Sequence, residues 1–470
     1  MRILHYALGF TPYRSGGLTR YVMDLTGAQR AAGHAVAMLW PGRMRRDDRP
    51  YVRRHRDIGG VSSFELCGPL PVVLDRPVGD PDLFHRPAQG EGYARFLDAT
   101  KPDIIHIHTL QGLHREFLDA ARARGIPTVF TTHDFFGLYP MNQVYPMDHA
   151  LSDEECSRIN VGAPSPRAIC LLQSPLVRFA KSSTAVRGAV ELAGRLRPSP
   201  SPVRGAVPMT PDGGKTPEPG DIEVKRYSAF RDYEVSMLER MDMILYNSTV
   251  SKTAYERYCS PRASTVIPVI HDGLPGRAGR GAGAVAGAGD GRIRIAFLGG
   301  DRPYKGLSTL MEAIGLLRGR GLGRNLHIDV YGVRGVGVAD VADAPTVSFR
   351  DAFDDFAEAM RHEDVVIVPS LTYESFGFVV LEALCAGLPV MATDCVGAAD
   401  IIPQGCGFPL GAGSPDEMAA ALASLDRASV DAAADRIARV FTPPSFDEHV
   451  SHIENHYTTV IAQTGEAGRR

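Results

Sequence analysis

The seven cysteines form no Cys-x-x-Cys pair, and an odd number cannot close a complete disulfide set. That excludes a disulfide-framed module and points to a reducing compartment. No run approaches 18 consecutive apolar residues, so no membrane-spanning helix is predicted. The opening MRILHYALGFTPY has too short an apolar run for a secretion signal and lacks a small-residue cleavage site. A cytoplasmic location is expected, at most peripheral to the inner face of a membrane. Nor does either charge dominate: 51 Lys and Arg against 54 Asp and Glu leave a net −3, which gives no electrostatic footprint for nucleic acid. A Walker-type phosphate loop is missing too, because in FLGGDRPYKGLSTL the lysine precedes the glycine. The match Gly281-Ala-Gly283-Ala-Val-Ala286 to a dinucleotide fingerprint precedes a strand, lies in low-complexity sequence, and fails on context. Cys156, Cys170 and His149 lack the tight spacing of metal ligands, and no metal site is expected.

What is present is enough apolar material, 44% of 470 residues, for two or three cores. Apolar runs of strand length alternate with helical patterns: Arg2 to Leu8, a helix from near Leu18, Ala35 to Trp40, Ile104 to His108, Thr128 to Thr132. Such alternation predicts βαβ units and a parallel sheet covered on both faces. A Pro-, Gly- and Ser-rich stretch at 198–221 breaks the pattern, inside an insertion of about 175–222 expected to be mobile. Tyr227 to Met241 resumes as an amphipathic helix, the strand MILYNS follows, and the first half ends at VIPVIHDG. Residues 274–290 read as a Gly/Ala-rich linker. Alternation then returns, with strands at 293–298, 326–331, 365–368 and 390–393 and helices at 307–319, 353–361, 375–386 and 415–425. The expected architecture is α/β: two doubly wound domains, 1–273 and 291–440, facing a deep cleft, followed by a helical extension over 441–470. Ligands in open α/β sheets bind beyond the carboxyl ends of the strands, so both sheets are expected to turn that edge to the cleft.

Charge is spread unevenly. Residues 1–60 hold eleven Arg and four acidic residues, with Arg43, Arg45, Arg46, Arg49, Arg53, Arg54 and Arg56 bunched together. Either this Arg43–Arg56 cluster or a basic helix over 177–197 offers peripheral contact with anionic lipid headgroups; the plainer reading of each is a solvated surface.

The densest chemistry lies in VPSLTYESFGFVVLEALCAGLPVMATDCVGAADII, where Glu374 and Glu382 stand with seven residues between them. A strand runs into a polar loop that carries Glu374 to the mouth of a helix, and Glu382 follows about two turns later. Ser375, Val379, Glu382 and Ala386 are predicted to share one helical face. A helix start that binds anions and a carboxylate that binds hydroxyls suit a nucleotide sugar. Upstream, strand 293–298 ends in Gly299-Gly300, and Arg302 and Lys305 precede a helix, a combination that suits a diphosphate. In the first half, Gly16-Gly17 follows the first strand and lets backbone approach a ligand. His106, His108, His133 and Asp134 are expected at the same carboxyl edge.

These segments together are recognisable. PSLTYESFGFVVLEALCAGLPVMATDCVGAADII resembles the signature of retaining glycosyltransferases of family 4, with the GT-B fold, and FLGGDRPYKGLSTLMEAI resembles that family's phosphate-binding segment. HIHTLQG, TTHDFFGLYP and VIHDG fall in the expected order. The resemblance implies that a hexose moves from a nucleotide diphosphate sugar to a hydroxyl of a glycan, lipid-linked or small-molecule acceptor. It assigns Glu382 to the donor ribose, Glu374 to the donor hexose, Lys305 to the diphosphate and His133 to the neighbourhood of the anomeric carbon. The amides of Ser375, Phe376 and Gly377 would face the donor, as would Gly16 and Gly17; His108 and Asp134 would lie on the acceptor side. No cofactor and no divalent metal are implied, in keeping with the lack of a suitably placed Asp-x-Asp. The family often has an arginine where this chain has Gly300, and Arg302 is the candidate to replace its charge. Two rival readings share the fold: a catalytically silent binding or scaffold subunit, and a nucleotide-sugar epimerase.

Overall fold

The structure is a computed structural model that describes residues 1–45, 47–74, 76–139, 150–160, 163–182, 223–275, 291–333 and 344–467. The chain divides into two compact units. One comprises Met1–Asn247, Ser251–His271 and Phe446–Arg470; the other comprises Ser248–Val250 and Asp272–Ser445.

Strands of the first unit are β1 (Arg2–Tyr6), β2 (Ala35–Pro41), β3 (Tyr51–Arg54), β4 (Ser62–Cys67), β5 (Ile104–Ile107), β6 (Thr128–Thr131), β7 (Met243–Tyr246) and β8 (Ser264–Val266). They form one sheet in the order β3-β4-β2-β1-β5-β6-β7-β8. All neighbours run parallel except β3, which pairs antiparallel with β4 at the edge. The strand order reverses between β1 and β5, which opens a crevice at their carboxyl ends. Central strands β5 and β6 are buried at every position, as a sheet covered on both faces requires.

The helix Phe446–Ala467 packs on this sheet although it ends the chain. Its Ile453, Tyr457 and Val460, spaced four and three apart, join Ile3, Ile104, Val129, Leu245 and Ile267 in one core cluster.

The second unit contains β9 (Ile293–Phe297), β10 (Leu326–Tyr331), β11 (Thr346–Arg350), β12 (Val365–Val368), β13 (Val390–Thr393) and β14 (Gly407–Leu410). All pairs are parallel, in the order β11-β10-β9-β12-β13-β14, the arrangement of a mononucleotide-binding pair of βαβαβ halves. Here the reversal falls between β9 and β12. The core beneath the helix Leu307–Gly319 joins Ile295, Phe297, Leu310, Ile314, Ile328 and Ile367.

Three expectations about elements are corrected. The predicted helix 353–361 is only Phe356–Ala359 with a 3-10 turn after it, because the Asp355 side chain accepts from Glu358 N and starts the helix late. The predicted helix 375–386 begins at Phe378, after Gly377 at φ 95°, so Ser375 lies in the turn and shares no helical face with Glu382. Strands β3, β4, β11 and β14 have no counterpart in the sequence reading. Of the predicted basic helix 177–197 the described part belongs to Pro175–Ser182; its remainder, most of the insertion, and linker residues 276–290 lie outside the described residues.

Candidate functional site

In the second unit the functional side chains stand on the loops that leave β9 and β12. These strands are neighbours on either side of the reversal, so their loops meet at the sheet's carboxyl edge. After β9 the chain passes Gly300 at φ 66° and a 3-10 turn Pro303–Lys305, and Gly306 at φ 80° then starts the next helix. A Cβ on Gly306 would lie 2.0 Å from the Pro369 carbonyl oxygen, so only glycine brings this helix start against the end of β12. Leu371 N donates to Tyr304 O at 2.9 Å and ties the two loops together.

The outcome is direct pairing of two predicted site residues: Lys305 Nζ lies 2.8 Å from Glu374 Oε1. The Ser370 hydroxyl donates to the same carboxylate oxygen. Backbone pairing with the segment after β13 holds the loop: Glu374 N donates to Cys395 O (2.9 Å), Gly397 N to Glu374 O (3.0 Å) and Ala398 N to Phe376 O (2.6 Å). Phe376 is a buried side chain stacked edge-on with Phe378, so it contributes to the site only through its backbone. Glu382 occupies the half-exposed face of the helix Phe378–Ala386 with Phe378 and Val379, while Val380, Leu381, Ala383 and Leu384 are buried. Arg302 donates to the Tyr304 hydroxyl at 2.6 Å. Gly300 has the backbone conformation in which an arginine would be strained, a physical reason for glycine there.

The first unit assembles a line of imidazoles across three adjacent strands. His5 comes from β1, His108 follows β5, and His133 follows β6. Gln29 Oε1 is 2.8 Å from His5 Nε2, His5 Nδ1 is 3.0 Å from His108 Nε2, and His108 Nδ1 is 3.3 Å from His133 Nε2. Burial lowers all three pKa values, that of His5 to about 4, so these rings are neutral at pH 7. A carboxamide oxygen can only accept, so His5 donates from Nε2 and accepts at Nδ1; the same logic passes to His108 and then to His133. His133 is thereby held with its proton on Nε2 and Nδ1 as its acceptor nitrogen.

Sequence reasoning placed His106 and His108 at the carboxyl edge of the sheet; His108 directly follows β5 there, whereas His106 lies within the strand, and both are fully buried. His108 backs His133, while His106 bonds the Tyr457 hydroxyl (2.5 Å) and Thr131 (2.7 Å). His5, His106 and His108 put ligand-type atoms within 4.8 Å of one another, but the ring nitrogens already hold hydrogen-bond partners. Asp134 accepts from Phe136 N at 3.1 Å, Thr109 Oγ1 at 3.3 Å and Gln111 Nε2 at 3.4 Å, which makes it the clamp of its turn. Gly16, at φ 106°, caps the helix Gly17–Ala31, and both glycines are exposed. Sequence reasoning missed His5, Gln29 and Tyr457. The available signals were a histidine within the apolar strand ILHYAL and a glutamine on the stripe Tyr21, Val22, Leu25.

Two family models match the chain, described as "Glycosyltransferase Family 4" over residues 15–153 and "Glycosyl transferases group 1" over residues 292–427. A phosphatidyl-myo-inositol mannosyltransferase of Mycobacterium leprae is 33% identical over 151 residues, 29% of this chain and 38% of that protein. A D-inositol 3-phosphate glycosyltransferase of Rhodococcus erythropolis is 29% identical over 209 residues, 41% of this chain and 45% of that protein. The chain thus spans less than half the length of these curated relatives. Among solved structures, α,α-trehalose 6-phosphate synthase from Burkholderia multivorans superposes with a TM-score of 0.54 at 13% identity, covering 100% of this chain and 98% of that one. Anabaena HepE, solved with UDP, gives 0.51 at 13% identity, covering 99% of both chains. Matched by these two models together over more than half of its length, the chain belongs to the group 1, family 4 glycosyltransferases and has the GT-B fold.

Proposed function

We propose that this chain is a retaining hexosyltransferase that uses a nucleotide diphosphate sugar and a hydroxyl acceptor on a glycan, a lipid-linked sugar or a small molecule. The observation that carries the reading is the Lys305–Glu374 pair on the loops at the strand-order reversal of the second unit, with Glu382 on the helix that follows the second of these loops. In this reading Glu382 accepts from the ribose hydroxyls and Glu374 from the hydroxyls of the hexose. Lys305 leaves Glu374 for the diphosphate when donor binds, while the amides of Ser375, Phe376 and Gly377 and the neighbouring Arg302 add to the positive end. The acceptor oxygen forms its bond to the anomeric carbon on the face from which the diphosphate oxygen departs. Its proton passes to that leaving oxygen, and Lys305 stabilises the charge that develops there. His133, Gly16 and Gly17 contribute from the first unit, His133 accepting a sugar hydroxyl through Nδ1. No divalent metal takes part.

The transfer is proposed to serve polysaccharide biosynthesis, with the protein in the cytoplasm. Peripheral membrane contact is proposed through the helices Pro166–Leu172 and Pro175–Ser182, supported by Leu171, Leu176 and Phe179 at 62%, 78% and 74% exposure. The Arg43–Arg56 cluster is a weaker anchor, since Arg45, Arg53 and Arg54 pair with Asp47, Glu65 and Asp57. Among the described residues no helix is long and apolar enough to cross a membrane.

Kinetics with the true donor, with chelator present, test the assignment. Glu374→Ala is expected to lower turnover about 100-fold with donor affinity little changed. Glu382→Ala is expected to weaken donor binding by roughly 10-fold to 100-fold. Wild-type turnover in both variants would sink the assignment.

A further inference from the structure

A cavity at the carboxyl edge of the first sheet is lined by two buried donor atoms without a partner, Arg14 Nε and Gln173 Nε2, and by the exposed Arg76. Its walls include Arg14 from the loop after β1, Val72, Val73 and Leu74 from the segment after β4, Arg76, and Gln173 at the end of the helix Pro166–Leu172. Arg14 is 6% exposed and its Nε is buried without a hydrogen-bond partner. Gln173 is 1% exposed; its carboxamide oxygen accepts from Val72 N at 3.0 Å, which turns Nε2 away, and Nε2 is likewise buried without a partner.

Arginine does not deprotonate in proteins, so a guanidinium taken out of water requires a counter-charge. Among the described residues no carboxylate lines this cavity. The buried Glu65 is already shared by Arg53, His55 and Arg178, the last at 2.8 Å. Arg178, paired in this way, repels Arg14 and offers it no counter-charge. Face-on contact with the Tyr13 ring, 4.3 Å from the Arg14 guanidinium carbon, supplies only a small part of what is missing.

We propose that Arg14, Arg76 and Gln173 form a binding site for a phosphate monoester, the anionic group of the acceptor. Two guanidinium groups and one amide match a group that carries nearly two negative charges and several acceptor oxygens better than they match a carboxylate. The cavity wall is also wired to the acceptor side of the site. The Gln111 side chain accepts from Val73 N (3.2 Å) and Leu74 N (2.9 Å) and donates to Asp134 at 3.4 Å, next to His133. Leu74 takes φ 59° in this loop, a strained conformation for a leucine. The acceptor role rests on the glycosyl-transfer reading; the phosphate site does not.

The test is thermal unfolding of the full chain with millimolar inorganic phosphate against chloride of equal ionic strength, with no donor present. Wild type is expected to gain roughly 3 °C or more at saturation. Lys305→Ala is expected to keep that gain, which separates this site from any diphosphate site on the second unit, whereas Arg14→Met and Gln173→Leu are expected to lose it. Without phosphate, Arg14→Met is expected to be at least as stable as wild type, because it removes an uncompensated buried charge. The proposal is overturned if phosphate gives no gain, if the gain survives Arg14→Met, or if acetate stabilises as much as phosphate. Failure of sugar transfer would leave the phosphate result standing.

Discussion

At the scale of single residues, the first unit buries a group of titratable side chains whose protonation sets its pH dependence. Burial lowers the pKa of His5, His106, His108, His114, His133 and His449. It raises those of Asp134 and Glu234, the latter also facing Asp134. The two sets oppose each other. Imidazoles with depressed folded values stabilise fully above their unfolded pKa of about 6.5 and lose that contribution as pH falls below it, through about 4 for His5, His114 and His449 and about 3 for His133. The raised carboxyls act the other way, stabilising more as pH falls toward about 4. Six bases outweigh two acids, so the first unit is expected to lose stability between about pH 7 and pH 5. Denaturant unfolding followed by far-UV circular dichroism across that range checks this, and a flat or rising stability would contradict the neutral-histidine cluster. Of these residues His106, His108, His133 and Asp134 stood out in the sequence. Glu234 and Arg14 did not, because a charge in an amphipathic helix or a loop has no pattern that marks it as buried.

At the scale of elements, the strands and helices that build the site were legible wherever apolar periodicity was strong. β9, β10, β12 and β13 and the helix Leu307–Gly319 lie where alternation put them. The exceptions have local causes. Edge strand β3 carries Arg53 and Arg54 and shows no apolar alternation, and the helix bearing Glu382 starts late because Gly377 takes a left-handed conformation that no periodicity reveals. That delay matters to the site. It frees Glu374 to Gly377 to pair with the segment after β13 and aims Glu374 at Lys305. Gly306 sets the other side of the pair. Gly306→Ala combines a left-handed alanine with a backbone clash against Pro369, and is expected to cost about 2–4 kcal/mol. That corresponds to a fall in Tm of roughly 5–10 °C, and scanning calorimetry would expose an error if the variant unfolded as wild type does. Donor affinity is expected to fall with it, since Lys305 hangs on that turn.

At the scale of the whole molecule, two sheets, parallel but for the edge strand β3, with a strand-order reversal each explain why chemistry gathers on few loops. The reversals fall between β1 and β5 and between β9 and β12, and every candidate residue retained stands on or behind the loops at such an edge. The doubly wound class and the family resemblance were both readable in the chain, and the family models cover most of the segments that carried it, VIHDG excepted. What was not readable is the partnership of Lys305 with Glu374 and the line from Gln29 to His133, because both depend on contacts between elements distant in sequence. In the proposed function a nucleotide diphosphate sugar is held by the second unit through Glu382 and Lys305. The most direct measurement is a thermal-shift panel of nucleoside diphosphates and their sugars on wild type and on Glu382→Ala. One nucleoside diphosphate and its sugar are expected to stabilise wild type, by about 2.7 kcal/mol at 100 times the dissociation constant, and to lose most of that effect in the variant. No stabilisation by any member of the panel, or stabilisation untouched by Glu382→Ala, would contradict it.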